Sequence, residues 1–197
     1  MMSKDEIYHR LLTAVRTAYS AHPALPAFTP LPDDLPRQPL EPEHRPCSTA
    51  LQKETGLHSS GFTELQEQII ASAPFMRWRQ IYYDDQPHVF MDRLGCYSII
   101  GEGGPFASTE MRLFVIYMPP NLYYPWHIHP AEELYMVVSG SAVFKREYYP
   151  DEILSEGQSM FHESNQPHAI ETSDTPMLSL VAWRNHLHTP PVLVDID

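Results

Sequence analysis

From Arg77 to the end of the chain, short runs rich in Tyr, Phe, Val and Ile are broken about every 8–12 residues by Pro, Gly, Asp or Asn. This spacing is typical of the strands of a β-sandwich or a β-barrel. The candidate strands are Trp78–Tyr83, Val89–Met91, Tyr97–Ile100, Met111–Met118, Tyr123–His127, Glu133–Val138, Ala142–Glu147, Ser159–Phe161, His168–Glu171, Pro176–Trp183 and Val192–Val194. The sequence therefore predicts a mainly β body over residues 76–197.

The first part of the chain, residues 1–75, follows a different pattern. The sequence Ser3–Glu6 has the spacing of a capping box, and the apolar residues after it recur at helical spacing until Pro23. A second apolar repeat predicts a helix over residues 63–73. Eight of the 20 prolines lie between Pro23 and Pro46, where they disfavour helix. We expect an extended strap docked on the body there, with a flexible linker as the alternative.

Composition excludes several kinds of partner. The chain has 13 Lys and Arg against 25 Asp and Glu, a net charge of −12, and no basic cluster, so nucleic acid is not expected as a partner. The longest apolar runs, such as Leu113–Met118, are far shorter than the roughly 20 residues that span a bilayer, and no signal peptide is evident. We therefore predict a cytoplasmic protein without a membrane partner, in which Cys47 and Cys96 are free thiols. Monomer and homodimer both stay open.

A pair of histidines and a nearby carboxylate form the most informative cluster. His127 and His129 are two residues apart on a predicted strand and so point to the same face. Pro130 ends that strand, and Glu133 opens the next one with Tyr135 in the same phase. Two imidazoles and a carboxylate suit one divalent transition metal ion, with Zn, Fe, Mn and Ni as the alternatives, and leave positions open for a small-molecule substrate.

A fourth ligand has to come from another strand. His168 is the best candidate because it begins a predicted strand after a turn that contains Asn165, a residue tolerant of turn conformations. His162 is its competitor. We expect His168 to be a ligand and His162 not to be one.

These residues resemble the motifs of the cupin superfamily. His127, His129, Glu133 and Gly140 match the first motif, HxH-x3-E-x6-G, and Gly157 and His168 match part of the second motif. The positions that depart from the motifs are Asn121, Glu163, Asn165 and Thr172. The resemblance implies a single cupin β-barrel (a double-stranded β-helix, or jelly-roll) with an N-terminal helical and Pro-rich extension.

A closer resemblance covers most of the chain. The N-terminal extension before a single cupin, the sequence His129–Tyr135 and the sequence Tyr123–Trp126 resemble the cupin-type dimethylsulfoniopropionate lyases of marine bacteria. This family cleaves dimethylsulfoniopropionate to dimethyl sulfide and acrylate. The resemblance implies a metal-dependent lyase, with Tyr135 as the catalytic base and Tyr124 as a second tyrosine at the site. The implied metal ligands are His127, His129, Glu133 and His168.

The chemistry of the implied reaction makes demands on the side chains. A free tyrosine has a pKa of about 10, so a base at Tyr135 needs a cation close by. The sulfonium of the substrate is best held over aromatic faces, and Tyr123, Tyr124, Trp126 and Trp183 are the candidates. Two other functions stay open: another metal-dependent cupin enzyme, such as an iron dioxygenase or an isomerase, and a non-catalytic binding cupin.

Overall fold

The computed structural model describes residues 2–82 and 89–196 of the chain and shows helices followed by antiparallel strands. The helices are α1 (Lys4–Ala21), α2 (Ala24–Phe28), α3 (Pro46–Lys53) and α4 (Thr63–Ser72). The strands are β1 (Gly95–Ile100), β2 (Arg112–Met118), β3 (Tyr123–Ile128), β4 (Glu132–Arg146), β5 (Glu152–Ser155), β6 (Ser159–His162), β7 (His168–Glu171), β8 (Met177–Arg184) and β9 (Val192–Leu193). This arrangement confirms the predicted mainly β cupin fold with N-terminal helices.

The long strand β4 joins the two halves of the curled sheet. Up to Gly140 it pairs with β8 and β6, and from Ser141 onward it pairs with β5 and β7. Gly140 has φ 77°, and a Cβ at this position would lie 1.8 Å from the carbonyl oxygen of Pro176. Only glycine fits this close approach, so the last position of the first cupin motif marks the bend of the sheet.

The strands β2, β4 and β8 are buried on both faces. Alternate side chains form the outer face, which packs against the N-terminal helices, and the others form the inner face, which lines the barrel interior. The outer face comprises Leu113, Val115, Tyr117, Leu134, Met136, Val138, Leu178, Leu180 and Ala182. The inner face includes Phe114, Ile116, Tyr135, Val137, Val181 and Trp183. Burial on both faces explains why these strands have almost continuous apolar sequences.

The helix α1 begins as the sequence predicts. Ser3 accepts a hydrogen bond from the backbone N–H of Glu6, and the Glu6 carboxylate accepts one from the backbone N–H of Ser3. Leu11 and Val15 are completely buried in the core that the helices share with the outer face. Each such side chain contributes roughly 1.5–3 kcal/mol of transfer free energy, so the N-terminal region is an integral part of the fold.

The Pro-rich segment is less extended than predicted. It forms the short helix α2 directly after Pro23, and Pro46 is the first residue of α3. Proline is well tolerated at the start of a helix, because the N–H that it lacks has no partner there in any case. The expectation of a continuous extended strap was therefore wrong at both of its ends.

Four of the predicted strands differ from the structure. Val89–Asp92 is a 3-10 helix, so the strand predicted at Val89–Met91 was wrong. In the predicted strand Trp78–Tyr83, Trp78 forms only an isolated bridge with Tyr97, and residue 83 lies outside the described residues. The two strands predicted on either side of Gly140 are one continuous strand, β4.

Two simpler expectations concern the cysteines and the membrane. Cys47 and Cys96 are free, as predicted, and both are buried. Within residues 2–82 and 89–196, no helix has the length and apolar character that a membrane span needs.

Candidate metal centre

A β-bulge in β3 directs two aromatic rings into the barrel. Tyr124 pairs with Ile170 and His127 with His168 on β7, so three steps along β3 match two steps along β7. The extra residue brings Tyr124 and His127 to the interior, although an odd spacing normally places side chains on opposite faces. Their rings stack with centroids 4.1 Å apart and an angle of 15° between the planes.

Two asparagines hold the turns before the histidines. Asn121 and Asn165 stand where the cupin motifs have glycine, and they have φ values of 55° and 58°. Asparagine is among the few non-glycine residues that adopt this left-handed conformation readily. The backbone N–H of Asn165 also donates to the carbonyl of His129 at 2.8 Å. The departures from the motifs at Asn121 and Asn165 therefore preserve the turns that glycine would form.

Three histidines share one hydrogen-bonding pattern. In His127, His129 and His168 the Nδ1 atom contacts a backbone carbonyl two residues away, and each side chain is at most 2% exposed. The acceptors are the carbonyls of Pro125, Ala131 and Gln166, at 2.8, 2.9 and 2.8 Å respectively. A carbonyl can only accept, so Nδ1 carries the hydrogen and Nε2 keeps its lone pair. Ligating histidines typically have this arrangement.

The Glu133 carboxylate lies among four ring nitrogens. The Oε2 atom lies near three histidines: it is 3.4 Å from Nε2 of His129, 3.2 Å from Nε2 of His168 and 3.1 Å from Nδ1 of His162. The Oε1 atom accepts a hydrogen bond from Nε1 of Trp183 at 2.6 Å. Burial alone would raise the pKa of Glu133, but the contacts with these histidines hold it well below its usual range. The carboxylate is therefore ionised at neutral pH.

Charge and burial also act on the histidines. Burial and the neighbouring His168 and His129 hold the pKa of His127 well below its ordinary value. Burial lowers the pKa of His162 to about 3. For His129 burial acts in the same direction, but the Glu133 carboxylate outweighs it and raises the pKa. His127 and His162 are thus neutral at physiological pH. For His127, a proposed ligand, this is the form that binds a metal ion.

The donor set fits a metal ion. Within residues 2–82 and 89–196, two groups have ligand atoms that all lie within 4.8 Å of one another: His127, His129 and His168, and Glu133, His162 and His168. The Nε2 atoms of His129, His162 and His168 are buried, and among the described residues none of them has a hydrogen-bond partner. Unsatisfied buried nitrogens are rare, and a divalent ion would satisfy them. The structure thus brings the four expected ligands together, with His162 beside them.

The cluster opens into a cavity of about 310 Å³. His127, His129 and Glu133 lie in its wall together with aromatic rings. The ring of Trp183 lies 4.4 Å from that of His129 and meets Phe114 edge-on at 5.1 Å. A mostly apolar wall with a few convergent polar groups is typical of a small-molecule site.

Two tyrosines lie in the same wall. Tyr135 is 2% exposed and packs against Phe144 and His162, while the hydroxyl of Tyr124 is 2.9 Å from that of Tyr82. Burial raises the pKa of both residues well above the ordinary value. Neighbouring tyrosines raise the pKa of Tyr124 further, and the charge of Glu133 raises that of Tyr135 further. Both phenols are neutral unless a cation lies close to them.

The structure does not bring two of the expected aromatic contacts to the cavity. Tyr123 is 41% exposed, and Trp126 lines a separate surface depression beside Arg146 and Tyr149. Substrate contacts by Tyr123 and Trp126 stay predictions that the position of these side chains does not favour. Trp126 lies next to the inward-facing His127 and so points outward by alternation, and the bulge in β3 turns Tyr124 inward in place of Tyr123.

Several wall residues were not singled out from the sequence. Phe114 and Ile116 alternate with outer-face residues on β2, which is a signal that could have identified them. Arg112 opens this apolar strand and is 5% exposed; it donates to the carbonyls of Leu187 and Glu102. Burial lowers the pKa of Arg112 to about 10. A single charged residue at the start of an otherwise apolar strand is a sequence signal of a buried side chain that forms hydrogen bonds.

Additional basic and sulfur-containing groups lie in the wall of the cavity. Arg79 places its guanidinium carbon 5.2 Å from the centre of the Phe114 ring, and Cys96 lies nearby with a pKa raised by burial. Nothing in the local sequence around either residue predicted this placement.

Fold and site together define a cupin with a buried histidine and carboxylate cluster of the kind that binds metals, beside a cavity in the barrel. Residues 24–179 match the family model for dimethylsulfoniopropionate lyase. The chain is 40% identical over 194 residues to dimethylsulfoniopropionate lyase DddQ of Ruegeria pomeroyi, with 98% of this chain and 96% of that protein covered. The chain belongs to the dimethylsulfoniopropionate lyase family.

Solved structures agree with this family membership. The crystal structure of DddQ from Ruegeria pomeroyi superposes with a TM-score of 0.93, covering 96% of this chain and 97% of that one. A chain from the crystal structures of the lyases RdDddP and RnDddQII superposes with a TM-score of 0.91 at 35% identity, covering 98% and 100% of the two chains. The shared fold therefore includes the N-terminal helices as well as the barrel.

Proposed function

We propose that this protein cleaves dimethylsulfoniopropionate to dimethyl sulfide and acrylate at a metal centre formed by His127, His129, Glu133 and His168. One observation carries the proposal: in a member of this family, three buried histidines whose Nδ1 atoms contact backbone carbonyls and an ionised carboxylate converge beside a cavity sized for a small molecule. The reaction is a β-elimination. A base takes a proton from the carbon next to the carboxylate, the C=C bond forms, and the C–S bond breaks with its electron pair on sulfur.

The side chains would hold one divalent ion. The histidine nitrogens and the carboxylate oxygen suit Zn, Fe, Mn or Ni, and this donor set does not select among them. When bound, such an ion supplies Lewis-acid stabilisation of the negative charge that develops on the substrate carboxylate, and it lowers the pKa of a phenol beside it.

Tyr135 is the proposed base. It lies two residues after Glu133 on β4, faces the same cavity, and is shielded from water by Phe144. Because burial and the Glu133 charge raise its pKa, Tyr135 can accept a proton only where positive charge offsets both effects. A divalent ion held by the four proposed ligands would supply that positive charge. Tyr124 is proposed as a second catalytic and substrate-binding residue, with its hydroxyl oriented by Tyr82.

Aromatic faces are proposed to hold the sulfonium. Trp183 and Tyr124 lie in the cavity wall; the ring of Tyr124 stacks on His127, and the ring of Trp183 packs against His129 at an angle of 35°. A cation over such a ring gains about 0.5–2 kcal/mol per contact, and a sulfonium offers no hydrogen-bond donor that a polar group could use instead. The indole N–H of Trp183 is held by Glu133, which fixes the plane of the ring.

The test is product analysis with defined metals. Purified protein is stripped with a chelator and loaded separately with Zn, Fe, Mn or Ni, and headspace dimethyl sulfide and dissolved acrylate are then measured with and without oxygen. We expect equal amounts of both products with at least one metal, no dependence on oxygen, and loss of activity in the chelated protein. Tyr148→Phe, at a side chain that is 92% exposed, is the control and should match the unmodified protein. The absence of dimethyl sulfide with every metal would refute the proposal, and a requirement for oxygen would favour a dioxygenase.

The cellular location is also a proposal. The buried free thiols of Cys47 and Cys96 favour a reducing compartment, in keeping with the predicted cytoplasmic location. Fractionation of producing cells, with a periplasmic and a cytoplasmic marker enzyme, tests it.

A further inference from the structure

His162 occupies a position opposite Glu133 that the sheet register defines. It is the last residue of β6, is 0% exposed, and pairs across the ladder with Glu133 on β4. On the other side of β4 the cross-strand partner of Glu133 is Trp183 of β8. The carboxylate therefore lies between two ring systems that the neighbouring strands place on either side of it.

Each of the two rings serves a different carboxylate oxygen. Trp183 donates from Nε1 to Oε1 at 2.6 Å, and His162 donates from Nδ1 to Oε2 at 3.1 Å. Two donors on opposite oxygens fix the rotation of the carboxylate about its own axis. His162 also stacks on His168, with centroids 4.0 Å apart and an angle of 13° between the planes. One buried ring thus touches two of the four proposed ligands.

The hydrogen bonding of His162 differs from that of the three proposed ligand histidines. Their Nδ1 atoms donate to backbone carbonyls, whereas Nδ1 of His162 donates to the side chain of Glu133. Among the mutually close ligand atoms, His162 shares its set with Glu133 and His168, the two residues that its ring contacts.

We infer that His162 is a positioning residue: together with Trp183 it orients the Glu133 carboxylate, and by stacking it holds the ring of His168, so that both are preset to bind the metal. The inference rests on the proposed metal centre and not on the identity of the substrate. A preorganised ligand loses less freedom when the ion binds, and outer contacts of this kind typically change metal affinity 10–100-fold.

The experiment compares His162→Asn with His162→Gln. The amide nitrogen of asparagine can take the place of Nδ1 and still donate to Glu133, whereas the amide of glutamine reaches the place of Nε2. We expect the asparagine variant to bind Zn within a few-fold of the unmodified protein and the glutamine variant to bind it about 10–100-fold more weakly. Zn affinity is measured by competition with a chromophoric chelator, without substrate. The same substitutions at the exposed His58 are the controls and should change nothing.

Each other outcome contradicts the inference. Full affinity in the glutamine variant with a loss in the asparagine variant would make His162 a ligand through Nε2. Equal affinities in both variants, whether retained or lost, would mean that the hydrogen bond from Nδ1 does not matter. Melting temperatures of the metal-free variants show whether they fold. If the glutamine variant does not fold, Trp183→Phe is used in its place, because it removes the other hydrogen-bond donor to the Glu133 carboxylate and should weaken Zn binding. An unchanged Zn affinity of Trp183→Phe overturns the inference.

Failure of the inference is distinguishable from failure of the proposed function. A protein that binds Zn as expected but releases no dimethyl sulfide keeps the positioning role and loses the lyase proposal. In the active enzyme, His162→Asn should restore the turnover number kcat as well as the Zn affinity that His162→Gln loses. A residue that acted only by filling space would show no such rescue.

Discussion

The two faces of β2, β4 and β8 differ in how completely their side chains are satisfied. The outer face packs apolar side chains against the N-terminal helices, and the hydroxyl of Tyr117 on this face donates to Glu54 at 2.8 Å. The inner face borders a cavity and the cluster whose buried nitrogens have no partner among the described residues. The same three strands therefore pack against the helices on one side and border the proposed metal centre on the other.

This contrast has a physical origin in the alternation of side chains along a strand. Glu133 and Tyr135 point inward, while Leu134 and Met136 between them point outward. The outer contacts hold the backbone of β4 in place, so the inner side chains can remain unsatisfied without the strand shifting. A substitution on one face should therefore affect metal binding and turnover, and a substitution on the other should affect the free energy of unfolding.

The largest expected effect is the loss of a ligand. His129→Ala removes a nitrogen from the proposed metal centre, and we expect metal affinity to fall by more than about 100-fold, since even outer contacts are worth 10–100-fold. Lyase activity should fall to background while the protein stays folded. Metal analysis and circular dichroism are the measurements. Full metal occupancy in this variant would remove His129 from the site.

The next effect compares two tyrosines on opposite faces. Tyr135→Phe deletes the proposed base on the inner face and should lower kcat about 10²–10⁴-fold with metal content unchanged. Tyr117→Phe deletes a hydroxyl on the outer face and should leave kcat within a few-fold, while costing about 0.5–1.5 kcal/mol of stability. Steady-state kinetics and denaturant unfolding of both variants test the contrast. Similar kinetics for the two variants would mean that Tyr135 only fills space.

A substitution in the helical layer should have the opposite signature. Leu11 of α1 is completely buried against the outer face, so Leu11→Ala should lower the free energy of unfolding by about 2–5 kcal/mol. Below its melting temperature the variant should keep its kcat and metal affinity. Urea unfolding and kinetics at low temperature provide the comparison. A loss of turnover in the fully folded variant would show that the helices act on the site directly.

The smallest expected effect concerns the cation. If the face of Tyr124 holds the sulfonium, Tyr124→Leu should weaken the binding of a non-eliminating sulfonium analogue by about 0.5–2 kcal/mol. Binding of acrylate, which has the carboxylate but no cation, should change less. Dissociation constants of both ligands with metal-loaded protein decide the question. Equal weakening of the two would indicate a collapsed cavity and no specific contact with the cation.

The sequence by itself determined the features that depend on neighbours along the chain. The spacing of His127 and His129 and the capping box of α1 are local, and each predicted its structure correctly, whereas the break predicted at Gly140 was wrong because β4 continues through it. The asparagines at the two motif positions also keep the local turn that glycine would make. Such features follow from side-chain alternation and backbone preferences over a few residues.

The tertiary structure alone decided which side chains meet across the strands. Alternation says that two residues share a face, but it does not say which face is inside, and the bulge in β3 brings Tyr124 to the same side as His127 in place of Tyr123. The contact between His162 and Glu133 joins residues 29 positions apart in the chain. It exists because β6 pairs with β4 in one register, which the packing of the whole barrel selects, so the sequence could offer His162 only as a competitor of His168.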